Sequence, residues 1–137
     1  MALGFLDTNI IIRHVTKDNE QLSQKAARIL HKIEAGTLTV TTCEAVLAEC
    51  VNVLSSKRLY HFTREQIKTA LDVVLALKGL RLSHKKTYMR ALAIYASSSL
   101  DFADALAVAH MQRQKITTIY SFDTDFDRQA GITRRDQ

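Results

Sequence analysis

The sequence has no proline, only four glycines and only two cysteines, and each shortage argues against a class of protein. Disordered and repeat-like chains are usually rich in glycine or proline, so this composition favours a compact globular protein. Cys43 and Cys50 are seven residues apart, which fits neither a zinc-binding motif nor a redox pair. We expect both to be buried free thiols in a reducing cytoplasm.

Long apolar runs are missing as well. The chain reaches Asp7 after six residues without a basic segment or a small-residue cleavage site, so we expect no signal peptide. No apolar run approaches the roughly 20 residues that a membrane-spanning helix needs. The sequence therefore predicts a soluble cytoplasmic protein without a membrane partner.

Enough apolar sequence is present for one hydrophobic core. The chain has 137 residues, of which 47% are hydrophobic, and we expect residues 1–137 to form a single domain. A net charge of +5 favours an anionic partner such as nucleic acid, because a basic surface attracts polyanions. An ordinary basic surface would carry the same charge, so the charge alone does not decide the function.

Short apolar segments alternate with segments of helical periodicity along the chain. Strands are predicted at residues 3–6, 37–41, 80–82, 116–120 and, as a last edge strand, 132–134. Helices are predicted at residues 19–35, 42–54, 63–79, 84–96 and 101–114, with a loop and short helix at 121–128. This alternation predicts an α/β fold, namely a Rossmann-like three-layer α/β/α sandwich with a mainly parallel sheet of four to five strands.

Acidic residues gather at one edge of this predicted sheet. Ligands of open α/β sheets bind at the carboxyl ends of the strands, where loops and helix N-termini meet. The acids that the predicted topology brings to this edge follow strands or begin helices there: Asp7, Glu44, Glu49, Asp101, Asp104, Asp123 and Asp125. Two carboxylates about 4 Å apart repel each other by roughly 4 kcal/mol at an effective dielectric constant near 20. A cation should therefore neutralise the group.

The chemistry of the expected ligands favours magnesium or manganese. Hard divalent cations prefer carboxylate oxygens, whereas zinc would need clustered histidines or cysteines, which this sequence does not have. Such an ion can activate a water molecule and stabilise the leaving oxygen of a phosphodiester. The five histidines show no ligand spacing, and we expect them at the surface or at an interface.

Some of these acids also have a structural explanation. The spacing of Thr41 and Glu44 is that of a capping box, which would occupy Glu44 and favours Glu49 as the ligand. Asp101 suits the N-cap of its helix, which leaves Asp104 free to face a metal. Capping and metal binding do not exclude each other, so Glu44 and Asp101 stay open as alternatives.

Four segments of the chain together resemble the PIN-domain family, in particular the VapC-type toxins of bacterial toxin–antitoxin pairs. They are FLDTN at residues 5–9, VLAECV at 46–51, LDFADAL at 100–106 and SFDTDF at 121–126. The resemblance spans nearly the whole chain, with the four segments in the family's order. It implies Mg²⁺-dependent endonucleolytic cleavage of RNA, with Mn²⁺ able to substitute. It also implies a homodimer and inhibition by a small antitoxin protein.

Carried over to this sequence, the resemblance selects the metal-binding and catalytic acids Asp7, Glu49, Asp104 and Asp123. It leaves Asp125 as an alternative to Asp123. The hydroxyl groups of Thr8 and Ser121 are expected to support these acids without binding the metal, and Asn9 is expected to do the same or to contact substrate. Three residues after the first strand are possible contacts to RNA phosphates: Arg13, His14 and Lys17.

Three other functions compete with a nuclease. A catalytically inactive PIN-like module that only binds RNA or a partner predicts that a ligand acid is missing, and none is. An aspartyl-phosphate phosphatase would also place a nucleophilic aspartate after the first strand, but it usually has a second acid where Asn9 stands here. A receiver-like domain would show paired acids around the first strand and a lysine after a late strand. We find neither feature.

Overall fold

The computed structural model describes residues 2–137, and the chain divides into two compact units, one ending at Lys85 and one beginning at Lys86. Each unit is built from helices and short strands. The single domain expected from the sequence stays a prediction. Within residues 2–137, no helix combines the length and apolarity that crossing a membrane requires.

The first unit contains two strands and four helices among its described residues. In chain order they are β1 (Gly4–Phe5), α1 (Thr8–Thr16), α2 (Glu20–Ala35), β2 (Val40–Thr41), α3 (Glu44–Ser55) and α4 (Arg64–Leu75). The helix α5 (Lys85–Ser97) begins at the last residue of this unit. The remaining elements are α6 (Phe102–Gln114), β3 (Thr118–Tyr120), a short 3-10 helix (Thr124–Arg128) and β4 (Thr133–Arg135).

The strands of the first unit are parallel, as predicted. Gly4 of β1 lies opposite Val40 of β2, and Leu80 joins the other side of Val40 through a single bridge. The strand predicted at 80–82 is therefore reduced to one bridge in the structure. Gly79 packs so closely that a Cβ atom there would collide with the carbonyl oxygens of Leu38 and Ile33. The β1–β2 pair ends just before Asp7.

Helix α1 is an element that the sequence pattern does not predict. Its run of β-branched residues, including Ile10, Ile11 and Ile12, has a low intrinsic preference for helix. Ile11 and Ile12 are buried, with 0% and 6% of their surface exposed. Burial of these side chains in the core of the unit therefore outweighs the local preference.

The predicted starts of α2 and α4 are confirmed, whereas the capping box predicted before α3 is wrong. Asn19 caps α2 by accepting a hydrogen bond from the backbone of Leu22, and Thr63 forms a capping box with Gln66 at the start of α4. The capping box expected from Thr41 and Glu44 is absent, because Thr41 belongs to β2 and the N-cap of α3 is Cys43. Helix α4 also ends at Leu75, short of Gly79.

The second unit pairs β3 with β4 in parallel, with Ile119 opposite Arg134. Helices α5 and α6 are joined by an edge-to-face contact of Tyr95 with Phe102, whose ring centroids are 6.0 Å apart. Asp101 is the N-cap of α6, as the sequence predicts. The short helix predicted within 121–128 is confirmed as the 3-10 helix.

Candidate active site

Asp7 lies at the carboxyl end of β1 and is the N-cap residue of α1. Its backbone is extended, and its side chain makes no capping hydrogen bond to the helix. The N-terminus of a helix stabilises a nearby negative charge. The carboxylate oxygens of Asp7 are therefore not occupied by α1.

Glu49 reaches the same place from α3. Its Oε2 atom accepts a hydrogen bond of 2.9 Å from Oγ1 of Thr8, and Thr8 is only 7% exposed. Because Thr8 directly follows Asp7, this bond fixes the carboxylate of Glu49 beside the start of α1. The structure thus brings together Asp7, Thr8 and Glu49 within the first unit. Glu44 lies in the first turn of α3.

Asp7 and Glu49 line an open cavity of about 260 Å³ in this unit. The complete lining is Asp7, Thr8, Asn9, Ile12, Arg13, Glu49, Val53 and Tyr60. A water molecule takes up about 30 Å³ in the liquid, so the cavity has room for a hydrated divalent cation. The sequence offers Asn9 and Arg13 as candidates for this region. Tyr60 has no such signal, because it lies in the segment between α3 and α4, outside the motifs that contain the acids.

Cys50 is buried directly behind these acids. Burial raises the pKa of its thiol to about 12, and the charges of Glu49 and Asp7 contribute in the same direction. The thiol therefore stays protonated near neutral pH, and the negative charge of this region lies on the carboxylates. Cys50 is buried as expected. Cys43 is exposed, which corrects its prediction, because the N-cap position of α3 faces solvent.

The acids of the second unit form another group, centred on Asp104. Oδ1 of Asp101 accepts a hydrogen bond of 2.9 Å from the backbone of Asp104 at the start of α6. Burial raises the pKa of Asp104, and the negative charges of Asp101, Asp123 and Asp125 raise it further. Asp104 is therefore crowded by like charges, which is the repulsion that a bound cation would relieve.

The loop that carries Asp123 is shaped by short side-chain bonds. Oγ of Ser121 accepts a hydrogen bond of 3.0 Å from the backbone of Asp123, and Oδ1 of Asp123 accepts one of 2.9 Å from the backbone of Asp125. Ser121 therefore orients the loop. Asp123 and Asp125 both influence Asp104, so the choice between them as the fourth acid stays open.

Arg134 supports the loop that carries Asp123, a role that the sequence does not predict. Its guanidinium donates to Oδ1 of Asp127 at 2.8 Å and to the backbone oxygen of Ser121 at 3.1 Å. Only 17% of its side chain is exposed. These bonds depend on the pairing of β4 with β3, which the sequence around Arg134 does not reveal.

The two remaining candidates for RNA contacts lie on the last turn of α1 and just beyond it. Lys17 is the exposed C-cap residue. His14 is half-buried, and its Nδ1 atom is buried without a hydrogen-bond partner. Burial lowers the pKa of His14, and the charge of Lys17 lowers it further.

Both groups of acids offer donors that suit a hard cation. Among residues 2–137, no three histidine, cysteine, aspartate or glutamate side chains are grouped closely enough to hold a metal ion. Within the units, the structure pairs Asp7 with Glu49 and groups Asp104 with its acidic neighbours. Carboxylate oxygens beside an open cavity of this size fit Mg²⁺ or Mn²⁺, and the protonated Cys50 offers no thiolate for zinc.

Comparison with known proteins identifies the family to which this chain belongs. The family model described as PIN domain matches residues 4–132. VapC ribonuclease Mb1869c of Mycobacterium bovis and Ribonuclease VapC13 of Mycobacterium tuberculosis are each 30% identical to this chain over 112 residues, covering 80% of this chain and 82% of the relative. PIN domains have a Rossmann-like α/β fold, which agrees with the helices and parallel strands found here. The chain therefore belongs to the PIN-domain family.

Proposed function

We propose that this protein is a Mg²⁺-dependent endoribonuclease that hydrolyses RNA phosphodiester bonds and acts as the toxin of a toxin–antitoxin pair. The observation that carries the proposal is the hydrogen bond from Thr8 to Glu49, which fixes a second carboxylate beside Asp7 at an open cavity. Two similar proteins are named ribonucleases of the VapC type, which supports the choice of RNA as substrate. The net charge of +5 agrees with an anionic substrate.

In this proposal Asp7, Glu49, Asp104 and Asp123 hold the metal ion and complete the active site. A bound Mg²⁺ supplies Lewis acidity for activating water and for stabilising charge on the scissile phosphate. Thr8 keeps Glu49 in position, and Asp7 lies at the N-terminus of α1, an end of a helix that attracts cation-binding anionic groups. Ser121 and Arg134 fix the loop of Asp123. Asp101 secures the first turn that carries Asp104.

The partners follow from the same family relationship. We propose a cognate antitoxin protein that blocks the acidic site, a homodimeric toxin, and action in the cytoplasm. Mn²⁺ is expected to replace Mg²⁺, because both ions accept carboxylate and water ligands.

The test is cleavage of a panel of single-stranded and structured RNAs by the antitoxin-free protein. Each RNA is incubated with Mg²⁺, Mn²⁺ or EDTA, and wild type is compared with Asp7→Asn. We expect metal-dependent cuts and a loss of about 100-fold or more in the variant, because it removes a proposed metal ligand. Glu34→Gln is the matched control, since Glu34 is an exposed acid on α2 outside the cavity lining.

The proposal fails if folded wild-type protein cuts no RNA of the panel and binds no Mn²⁺ in a calorimetric titration. That result would favour the alternative of a PIN-like module that only binds RNA or a partner.

A further inference from the structure

Asp18 collects hydrogen bonds from three side chains next to the cavity of Asp7 and Glu49. Its Oδ1 atom accepts from Nη1 of Arg13 and from Oγ1 of Thr16, both at 3.1 Å, and its Oδ2 atom accepts from the hydroxyl of Tyr60 at 2.6 Å. Arg13 and Thr16 belong to α1, whereas Tyr60 belongs to the segment between α3 and α4. Asp18 thus connects two parts of the first unit.

The backbone on both sides holds this arrangement in place. Helix α1 ends at Lys17 in the left-handed conformation, with φ of 55°, which turns the chain so that Asp18 lies beside the last turn of the helix. On the other side, the backbone of Phe62 donates to the carbonyl oxygen of Leu54 at 2.8 Å. The ring of Phe62 also packs edge-to-face on Tyr60, with centroids 6.4 Å apart. Tyr60 is therefore fixed to the end of α3.

Arg13 and Tyr60 both line the cavity that contains Asp7 and Glu49. The ion pair of Arg13, however, is with Asp18 at 3.1 Å. Within residues 2–137, no Lys, Arg or His nitrogen lies within 4 Å of the carboxylate of Asp7 or of Glu49. Arg13, the basic residue of this lining, is thus held by a different acid, and no ion pair of the described residues involves Asp7 or Glu49.

The ion pair with Asp18 determines where the guanidinium of Arg13 lies, because opposite charges attract each other most strongly at short distance. Arg13 has a long side chain in the same cavity lining, so removal of the Asp18 charge would let its guanidinium turn towards Asp7 and Glu49. It would then occupy the place of a divalent cation and would no longer be available to an RNA phosphate.

We propose that Asp18 is a positioning residue that keeps Arg13 away from the metal-binding acids and presents its guanidinium to an RNA phosphate next to the one that is cut. The hydroxyl of Tyr60 holds Asp18 in this position from the second side. This inference rests on the proposed nuclease function. It adds a specific phosphate contact, Arg13, and a reason why the acids stay open to metal.

The first readout is binding of Mn²⁺ alone by calorimetry, which involves no RNA and no turnover. Asp18→Asn keeps the shape of the side chain and removes its charge, and we expect it to weaken Mn²⁺ binding about tenfold. Adding Arg13→Ala to that variant should restore binding to within about threefold of wild type, because the competing guanidinium is gone. A merely structural role of Asp18 would not produce this rescue. Tyr60→Phe should weaken Mn²⁺ binding in the same direction by a smaller factor.

The second readout is binding of a labelled single-stranded RNA in EDTA, measured by fluorescence anisotropy over a range of salt concentrations. Arg13→Ala should weaken RNA binding about tenfold, both in the wild-type background and together with Asp18→Asn. The slope of log binding constant against log salt concentration should fall in magnitude by the amount that corresponds to about one phosphate contact. Arg28→Ala is the control for a lost positive charge, because Arg28 is exposed on α2 and does not line the cavity. The variant Arg28→Ala should leave Mn²⁺ binding unchanged.

The outcomes separate this inference from the nuclease proposal. If wild type binds Mn²⁺ and cuts RNA but Asp18→Asn binds Mn²⁺ equally well, the positioning role is wrong. The same holds if the double variant shows no rescue. If Asp18→Asn unfolds, as judged by its thermal melt, Tyr60→Phe decides the question, and unchanged Mn²⁺ binding in that variant overturns the proposal. Failure of wild type both to bind Mn²⁺ and to cut RNA would instead reject the nuclease function.

Discussion

Oγ1 of Thr8 donates a 2.9 Å hydrogen bond to Oε2 of Glu49, joining residues that are 41 positions apart in the sequence. Thr8 is buried at the first position of α1, directly after Asp7. One hydroxyl therefore sets the position of one proposed metal ligand relative to the other. A neighbouring side chain thus determines the orientation of an acid.

Replacing Thr8 with valine tests the role of that hydroxyl. Valine has nearly the same shape, but it cannot donate a hydrogen bond, so Glu49 loses its orientation. We expect kcat/KM for RNA cleavage to fall by about 10- to 100-fold, the usual cost of losing a group that orients a metal ligand. Thr8→Ser keeps the donor and should retain most of the activity. Equal activity of Thr8→Val and wild type would show that this bond is unimportant.

The fourth acid can be identified by comparing two isosteric variants. Asp123→Asn keeps an oxygen that can still cap the 3-10 helix, as Oδ1 of Asp123 does now, so it changes mainly the charge. We expect Asp123→Asn to lower cleavage about tenfold or more, whereas Asp125→Asn should change it by less than about threefold. The reverse order would assign the metal-binding role to Asp125.

Arg134 should control the mobility of the loop that carries Asp123. Arg134→Met keeps an apolar stem but removes the bonds to Asp127 and to the backbone of Ser121. We expect the backbone amides of Asp123 and Asp125 to exchange hydrogen several-fold faster and the cleavage rate to fall. Arg135→Met on the same strand is the control, since Arg135 is exposed. Unchanged exchange in Arg134→Met would contradict this supporting role.

His14 should make the stability of the protein depend on pH. Burial lowers its pKa below the ordinary value of 6.5, with Lys17 contributing, so the unfolded chain takes up a proton more readily than the folded one. The free energy of unfolding should therefore decrease as pH falls through 6.5, and the decrease should be complete below the pKa of the folded state.

Urea denaturation between pH 5 and pH 8 measures this effect. His14→Gln should flatten the profile, whereas His31→Gln, at an exposed position on α2, should leave it as in wild type. A profile that keeps its slope after His14→Gln would assign the pH dependence to another group.

The parts of the fold that depend on short-range contacts could be predicted from the sequence. Asn19 caps α2, Thr63 caps α4 and Asp101 caps α6, each through a bond to a residue three positions further along. A capping residue and its partner three positions further along can therefore be recognised from the sequence alone. The placement of Asp7 after a strand follows from equally local evidence, because an apolar run ends there.

The features that could not be predicted from the sequence depend on competition between alternative local structures or on long-range packing. Thr41 could not cap α3 because pairing in β2 uses this residue, and α1 forms in spite of its β-branched run because the core buries Ile11. The bonds of Arg134 to the Ser121 loop and of Tyr60 to Asp18 require the folded chain. No spacing in the sequence indicates them.

Glu49 of the first unit and Asp104 of the second are both proposed to be required for metal-dependent cleavage. The most direct measurement is RNA cleavage in Mg²⁺ by Glu49→Gln and Asp104→Asn, with Mn²⁺ binding by calorimetry on the same samples. We predict that each variant loses about 100-fold or more in cleavage and binds Mn²⁺ more weakly, while both keep the wild-type fold. If either variant cuts RNA and binds Mn²⁺ like wild type, its acid lies outside the active site and the account is wrong.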